Sequence, residues 1–370
     1  MDFTLSEEQR LLADSARRWA TRRCGFAAWQ TERRAGRNLA DLRWPDMVEL
    51  GWSAMALPEA DGGLGAGPVE CGLVAEVLGA ALVAEPFLQN TVIAAALVRA
   101  LPASAARDGL ARALVQGARI ALAHSEAAMP DDDSEPRLRA QRQSLGWRLD
   151  GSKTVVLGGA SADWVVVSAA SEAGPLLFAL PTDVAGLVRQ DARTLDAQSA
   201  SELTLDNVHI DAAARLCAPG GATAVLARVH DAGLAAMGAE AVGLMERLLN
   251  ETIAHTRTRQ QFGQPLSNFQ VLRHRLVDMS MALEATRSLV LLATLRLAEG
   301  DADTPRALAA MKFKLGQAGR FVSQHAIQLH GAIGMTDDLY IGHAFKRLMA
   351  LDLRLGNADH HLQRLVGLSA

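Results

Sequence analysis

A block of short strand-like segments between two long helical regions constrains the fold of this chain more than any other feature. Residues 1 to about 115 carry helix signals. Helical periodicity returns near residue 222, where Leu234, Met237 and Ala241 step by three and four. Five strand-like segments lie between the two regions, at residues 146–149, 154–157, 164–168, 176–180 and 201–205. The order predicts a mainly α chain with a central β-domain, a small barrel or sandwich.

Local signals mark where several of these elements begin and end. Ser6 with Gln9, and equally Thr4 with Glu7, have the spacing of a helix capping box. Residues 57–68 are rich in glycine and proline and predict a loop between helices, the later ones at 69–84 and 91–100. Asp150-Gly151 and Gly158-Gly159 indicate turns between strands. We therefore expect an N-terminal helical domain at 1–117, a β-domain at 118–220 and a C-terminal four-helix bundle at 221–370.

Composition excludes several classes of protein. The net charge is −4, from 37 basic and 41 acidic residues, so the chain has no broad basic footprint for nucleic acid. Its apolar runs are too short for a membrane span, and its first residues lack the pattern of a signal peptide. Three cysteines without metal-like spacing fit a reducing compartment, and the adjacent His360 and His361 do not share a helix face. We expect a cytoplasmic protein without a metal.

Two segments carry less ordinary chemistry. Residues 256–266 interrupt two helices with guanidinium groups, amides and the ring of Phe262, which suit phosphate and base recognition. Residues 328–335 end a helix with two glycines, which would also let a ligand approach the backbone. A solvated connection between helices also explains residues 256–266, and a plain helix stop also explains residues 328–335. The glycines at 62–65 follow no strand, so they indicate a plain turn and not a phosphate loop. The residues alone therefore allow two interpretations of this region, a nucleotide-like ligand near 256–270 or an ordinary connection between helices.

Five motifs in this order resemble those of the acyl-CoA dehydrogenase family, over essentially the whole chain. The matching stretches are Leu5-Ser6-Glu7-Glu8-Gln9, Pro58-Glu59 with Gly62-Gly63-Leu64-Gly65, Glu202-Leu203 with Asp206-Asn207-Val208, Arg257 and Arg259 with Phe262-Gly263 and Phe269-Gln270, and Gln328 with His330-Gly331. The resemblance implies a helical, β, helical architecture, bound FAD, an acyl-CoA substrate and an acceptor of the electron-transfer flavoprotein type. In this chemistry a carboxylate removes the α-proton while the β-hydrogen leaves as hydride to flavin.

By the same resemblance, individual residues acquire roles. Arg259 would hold the FAD pyrophosphate beside Gln261 and Phe262, and Leu266, Phe269 and Leu272 would shape the adenosine pocket. The FAD of a neighbouring subunit would meet Gln328, Gly331 and Ala332, and Asn357 replaces a threonine that follows the base and glycine. Asp231 matches a contact to coenzyme A, although Leu234 replaces its arginine partner. Since family sites are completed across subunits, we expect an oligomer.

The catalytic base is missing from both places where the family keeps it. The first matched position, 27 residues beyond Gln328, is Leu355, and the second, 29 residues before Phe262, is Gly233. Glu240 and Asp352 lie near these positions and are weak surrogates, since a salt-bridged or solvated carboxylate is the better explanation of each.

The flavin-lining positions have changed as well. Val155 and Leu157 replace a tryptophan and a threonine, and His124-Ser125-Glu126 stands where the family has a Thr-Glu-Pro stretch. These departures resemble one subunit type of the paired bacterial acyl-CoA dehydrogenases, in which two unlike chains share the sites and one keeps the base. The chain's ending, with Gly342-His343, Lys346-Arg347 and Gly356-Asn357, is similar to that of the small subunit of pimeloyl-CoA dehydrogenase. Such pairs act on dicarboxylic, steroid-side-chain or other bulky acyl-CoAs.

Three interpretations remain open at this point. The leading interpretation is an FAD-dependent acyl-CoA dehydrogenase polypeptide that performs α,β-desaturation without the usual glutamate. The alternatives are a base-less subunit of a heteromeric enzyme and a non-catalytic scaffold without flavin. Arg259, Phe262 and Gln328 favour flavin binding, whereas Val155 and Leu157 favour the scaffold. A flavin oxidase would be recognised by peroxide release in air, and the sequence does not address it.

Overall fold

The computed structural model describes residues 4–127 and 135–368. Its helices are α1 (Glu7–Arg23), α2 (Phe26–Arg34), α3 (Trp44–Glu49), α4 (Pro68–Ala80), α5 (Ala95–Ala100), α6 (Ala105–Val115), α7 (Gly221–Thr258), α8 (Gln270–Glu299), α9 (Thr304–His330), α10 (Tyr340–Leu353) and α11 (Ala358–Gly367). Its strands are β1 (Ile120–Ala123), β2 (Arg139–Arg142), β3 (Gly146–Leu157), β4 (Trp164–Ala169), β5 (Leu176–Pro181), β6 (Leu187–Arg193), β7 (Ser199–Asp211), β8 (Gln260–Gln261) and β9 (Gln264–Pro265).

The capping box at the first helix is confirmed, and it is the one at Ser6. The Ser6 hydroxyl accepts from the Gln9 amide, and the Gln9 side-chain oxygen accepts from the Ser6 amide. Helix α1 therefore begins at Glu7, and Thr4 is not its cap. The predicted helix at 91–100 is also more complex, because a buried π-helix at Phe87–Ala94 precedes α5.

The β-domain consists of two sheets. One has the order β1-β4-β5, with β1 parallel to β4, and the other has the order β2-β3-β7-β6 with antiparallel neighbours. The predicted turn at Asp150-Gly151 is wrong. These residues lie inside the long strand β3, beside an irregularity in its register with β7. A glycine within a strand often marks such a bulge. Asp150-Gly151 is therefore compatible with a turn between two strands and equally with a bulge inside one strand.

A single apolar cluster fills the space between the two sheets. Val165 and Val167 of β4 and Phe178 of β5 pack with side chains of the larger sheet, among them Leu149 and Leu203. All five side chains are completely buried. Sequence patterns identified the buried β4 and β5, whereas β6 is exposed along nearly its whole length and shows no alternation.

The helices after residue 234 form a bundle. Gly238 of α7 lies against Met311 of α9 and Val290 of α8, where an added Cβ would stand about 3 Å from both side chains. Helices α10 and α11 pack on α9 in turn. No described helix is long and apolar enough to cross a membrane. The three cysteines are buried, and the described residues contain no cluster of three or more metal-ligating side chains.

The chain folds into two compact units that do not follow chain order. The first contains residues 1–36, 68–83 and 234–370, so that α1, α2 and α4 belong with the bundle. The second contains residues 37–67 and 84–233, with both sheets, α3, α5, α6 and the start of α7. The three domains expected from the sequence, with boundaries after 117 and 220, stay a prediction.

Candidate functional site

A strained hairpin carries the first of the two segments singled out in the sequence. Strands β8 and β9 pair, and the two residues between them, Phe262 and Gly263, have φ of 54° and 77°. Positive φ at both positions defines a type I′ turn, which normally takes asparagine or glycine. Phe262 is nevertheless 90% exposed, with only its edge near Phe269 at 6.1 Å between ring centroids. A bulky ring that is both strained and exposed indicates a functional constraint.

Arg259 stands at the base of this hairpin. Its amide donates to the His255 carbonyl at 2.9 Å, and its carbonyl accepts from the Leu266 amide at 2.9 Å. The backbone is therefore fixed, while the side chain is exposed and makes no ion pair within the described residues. Gln261 is exposed beside it, with its amide donating to the Gln260 carbonyl. A guanidinium presented in this way can take a phosphate in bidentate fashion.

The predicted adenosine-pocket residues continue from the hairpin into α8. Leu266, Phe269 and Leu272 are each half-buried, and Phe269 is the N-cap residue of α8. The Leu272 and Arg273 amides both donate to the Phe269 carbonyl, so this first helical turn is closed. The three residues predicted to shape an adenosine pocket therefore lie on one short stretch of chain that follows Phe262.

The second segment ends helix α9. Gly331 is the C-cap residue, with φ 70° and ψ −150°, a conformation that is essentially limited to glycine. A Cβ built on Gly331 would meet no atom within 4 Å, and the same holds for Gly263. Gln328 and Ala332 are exposed on either side. At both glycines a ligand could approach the backbone closely.

Two histidines without an assigned role join these segments. The rings of His255, near the end of α7, and His330, the last residue of α9, stack at 4.2 Å between centroids with an interplanar angle of 26°. Burial, then the neighbouring His330 and Arg259, lower the pKa of His255, and burial lowers that of His330. The two residues are far apart in the chain, so no local pattern could have paired them.

The turn at Leu355, where the resemblance would place a base, is held by several hydrogen bonds. Leu355 has φ 54° and is half-buried, and its carbonyl accepts from His361 Nε2 at 2.7 Å. The buried Lys312 ammonium donates to the carbonyls of Leu351, Asp352 and Gly356 at 2.7–2.9 Å. These hydrogen bonds fix the backbone of the turn, and Leu355 presents an aliphatic side chain on it. Gly233, the other matched position, is buried within α7.

Both surrogate carboxylates have fixed partners. Glu240 Oε1 lies 2.8 Å from Arg347 Nη1, and that buried guanidinium also donates to the Val83 carbonyl. Asp352 accepts from the Ala358 amide at 3.2 Å and lies 3.3 Å from Arg320 Nη2. These contacts favour the structural interpretation of both acids, since removing either would leave its partner unpaired.

The positions that line the flavin in the family lie on a distorted part of β3. Val155 is exposed with φ 49°, which is a genuine outlier for a β-branched residue, and the register with β7 shifts between Lys153 and Val156. Leu157 is half-buried, and Gly158 follows it with φ 74° against Pro86 and Gln89. The backbone is distorted at these positions, and both side chains are aliphatic and offer no hydrogen bond.

A buried lysine that the sequence analysis missed supports this bulge from inside. Lys153 Nζ donates to the His124 carbonyl at 2.9 Å, Glu126 Oε1 at 2.6 Å and Ser168 Oγ at 3.0 Å. Burial lowers the pKa of Lys153 to about 8, against the opposing effect of Glu126. Burial alone would raise the pKa of Glu126, but hydrogen bonds from Lys153 and from the Leu138 and Arg137 amides outweigh it. The cluster links β3 to β1 and β4.

The two remaining candidates are Asp231 on α7 and Asn357, which directly follows the Leu355 turn. Asp231 is half-buried on the first part of α7, with one oxygen 4.0 Å from His230 Nδ1. Asn357 is exposed and is the N-cap of α11, where its side-chain oxygen accepts from the His360 amide. Its amide nitrogen is not needed for the cap.

Comparisons with known proteins agree with the motifs. Residues 6–115 match the model of the acyl-CoA dehydrogenase N-terminal domain, and residues 221–366 match that of the C-terminal domain. The solved ChsE4-ChsE5 complex from Mycobacterium tuberculosis contains a chain that is 26% identical, with a TM-score of 0.87 over 100% of this chain and 98% of that one. A chain from a solved variant of the Tcur3481-Tcur3483 steroid ACAD is 30% identical, with a TM-score of 0.86 over 99% and 98%.

A third solved structure supports the fold alone. The FAD complex of PigA superposes with a TM-score of 0.90 over the full length of both chains, at 22% identity. The predicted fold class, mainly α with a central β region and a C-terminal helical bundle, is therefore confirmed.

Proposed function

This chain belongs to the acyl-CoA dehydrogenase family of oxidoreductases, and from that premise we propose that it is the base-less, FAD-contacting subunit of a paired enzyme. The reaction is the α,β-desaturation of an acyl-CoA thioester. The observation that carries the proposal is Leu355, an aliphatic side chain on an otherwise intact turn where the family keeps its glutamate.

The hairpin and the end of α9 fit a dinucleotide. Arg259 provides two parallel donors for the pyrophosphate, with Gln261 beside it, and Phe262 offers a ring face that protein atoms leave bare. The open backbone at Gly263 and Gly331 leaves room for close approach. The shared fold of the PigA complex, which holds FAD, supports the same ligand here. Bound FAD would accept the β-hydrogen of the substrate as hydride.

The remaining assignments follow the family resemblance. Leu266, Phe269 and Leu272 surround the adenosine, while Gln328, Gly331 and Ala332 contact the dinucleotide held by the neighbouring subunit. Asn357 uses its free amide nitrogen as a donor. Val155 and Leu157 would contact the flavin without donating hydrogen bonds from their side chains. The same resemblance assigns Asp231 to coenzyme A.

The proton acceptor has to come from another chain. Neither Leu355 nor Gly233 can take a proton, and Glu240 and Asp352 already hold Arg347 and the start of α11. Since an α-proton of a thioester requires a positioned base, this chain alone lacks one component of the reaction. A partner of the same fold with a glutamate at the Leu355 position would supply it.

The surface of α8 supports such a partner. Val277, Met281 and Leu292 follow the spacing of one helix face and are exposed, and Val271 near the start of the helix is 65% exposed. A stripe of this kind is typical of an interaction surface. Two solved relatives carry names of chain pairs, ChsE4-ChsE5 and Tcur3481-Tcur3483, and the second is called a steroid ACAD. We therefore infer a bulky acyl-CoA, with a steroid-side-chain thioester as the first substrate to test.

The proposal is tested by anaerobic flavin reduction. The chain is purified alone and after co-expression with a paired acyl-CoA dehydrogenase chain, and each sample is titrated with steroid-side-chain, dicarboxylic and straight-chain acyl-CoAs. We expect the flavin band to bleach only in the paired sample. Bleaching by the pure single chain would show a self-sufficient dehydrogenase and overturn the proposal. A pair that binds no flavin would instead support the scaffold.

A further inference from the structure

The stacked histidines stand between the two segments that the proposed function assigns to FAD. His255 lies one helical turn before Arg259, and its carbonyl accepts the Arg259 amide, so the residue that stacks also closes the turn leading into the hairpin. His330 immediately precedes Gly331 and follows Gln328 by two residues. The stack is therefore a direct side-chain contact between the base of the hairpin and the end of α9.

The tautomer of one ring is fixed. His330 Nδ1 lies 2.8 Å from the Ala326 carbonyl, an acceptor, so Nδ1 carries the proton in the neutral ring. The near-parallel arrangement of the rings, at 26°, gives face-to-face contact between two uncharged imidazoles. Protonating either ring places a cation against its neighbour, and protonating both places two like charges 4.2 Å apart.

We propose that His255 and His330 are positioning residues, which hold the Arg259 hairpin and the Gln328–Ala332 stretch at the spacing that FAD requires, and which do so only while both rings are neutral. The inference rests on the proposed function for the identity of the ligand. It adds the regulation of that site by acid, through two residues that do not themselves touch the cofactor.

Burial and the surrounding charges determine how the stability of the histidine stack changes with pH. Arg259, from the hairpin side, disfavours a proton on His255, whereas Glu251, one turn earlier on α7, favours one on His330. The C-terminal ends of α7 and α9 also favour protonation, but burial outweighs them and the pKa of both rings is lowered. A group whose pKa is lowered on folding loses its stabilising contribution as pH falls below the unfolded value. The contribution of the stack to stability is thus fully present above the unfolded histidine value of about pH 6.5, and it is lost as pH falls through the lower pKa of the folded rings.

The test compares FAD affinity at about pH 7.5 and about pH 5.5, where histidine changes charge. Flavin is removed from the full chain in the assembly in which it purifies, and rebinding is followed by quenching of flavin fluorescence. The variants are the double substitution His255→Phe with His330→Phe, which keeps two stacking rings without titration, and His255→Ala, which removes the stack. The control is His209→Phe, at an exposed position on β7 in the other unit.

For the wild type and the control we expect the Kd for FAD to rise on acidification, by up to about tenfold per pH unit for each coupled proton. The Phe double variant should keep the neutral-pH affinity and lose most of this dependence, and His255→Ala should bind weakly at both pH values. Equal wild-type affinity at the two pH values overturns the inference, and so does an unchanged pH dependence in the double variant.

A second readout does not need the cofactor. Amide hydrogen exchange of residues 259–266 in flavin-free protein, corrected for the intrinsic pH effect, should show loosening of the hairpin at about pH 5.5 in the wild type and none in the Phe double variant. If no FAD binds at any pH while this loosening is seen, the cofactor assignment fails and the histidine contact stands. If the exchange is the same in both proteins, the positioning role fails whatever binds there.

Discussion

Single residues carry the departures of this chain from its family. Leu355 has a left-handed backbone, and Lys312 and His361 hold its turn in place. The absence of a base at this position stays a prediction from the sequence, which has no carboxylate at the matched place. The sequence could not show that Glu240 forms an ion pair with Arg347, because the two residues are 107 positions apart in the chain.

Replacing Leu355 with glutamate should restore a base within this chain. The backbone already adopts the unusual φ, so Leu355→Glu introduces no new backbone strain, and we expect slow flavin bleaching by acyl-CoA in the single chain. Leu353→Glu is the matched control, since it adds the same charge two residues away at an exposed position. Equal behaviour of the two variants would contradict the assignment of Leu355 to the base position.

Arg259 tests the placement of the pyrophosphate. Its guanidinium is exposed and has no protein ion pair within the described residues, so Arg259→Ala removes little from the fold. Each charge-assisted phosphate contact is worth about 1.5–3 kcal/mol, and we expect about tenfold to a hundredfold weaker FAD binding. Arg257→Ala is the control, an exposed arginine at the end of α7. Flavin content that is unchanged in Arg259→Ala would reject the placement.

Elements show where sequence patterns work and where they do not. Strands β4 and β5 are buried on both faces and read as apolar runs, whereas β6 at the edge of its sheet is polar and exposed, and was not predicted. Asp150-Gly151 carries a turn signal, yet pairing with β7, a strand of 13 residues, keeps β3 continuous through it. Tertiary pairing overrode the local signal there.

The strained Phe262 in the type I′ hairpin is expected to lower the stability of the fold while it contributes to FAD binding. A non-glycine residue in the left-handed region costs about 1–2 kcal/mol, and asparagine tolerates that region better than phenylalanine. Phe262→Asn should therefore raise the free energy of unfolding of flavin-free protein by about 0.5–1 kcal/mol and weaken FAD binding. Leu145→Asn provides the control at the exposed tip of the β2–β3 connection. A variant that is more stable and binds FAD normally would show that Phe262 has no part in the site.

The buried cluster around Lys153 links the two sheets of the β unit. Lys153→Met leaves the Glu126 carboxylate without its cation, and we expect a loss of about 3–5 kcal/mol, as for other broken buried pairs. Adding Glu126→Gln should recover part of that loss, because the buried charge is then gone. Urea unfolding followed by hydrogen exchange of the amides of β3 and β4 reports on this unit. Strictly additive losses would indicate that the two residues do not interact.

At the scale of the whole molecule, the order of the motifs predicted the fold class. The compact units, however, combine stretches that are far apart in the chain. Helices α1, α2 and α4 form one compact unit with the bundle, although long stretches of chain separate them from it. Two segments about 70 residues apart in sequence, the hairpin and the end of α9, meet through one pair of rings. Composition and periodicity carry no record of such contacts, since both are local properties.

The central claim is that this chain needs a base from a partner, and exchange of the substrate's α-proton in D₂O tests it without depending on hydride transfer. A base placed at the α-carbon exchanges that proton with solvent, so mass spectrometry of the recovered acyl-CoA reports on the base alone. We expect deuterium incorporation with the assembled pair and with Leu355→Glu, and none above the uncatalysed rate with the single wild-type chain. Rapid exchange by the wild-type chain alone would contradict the account and direct the search to Glu240 and Asp352.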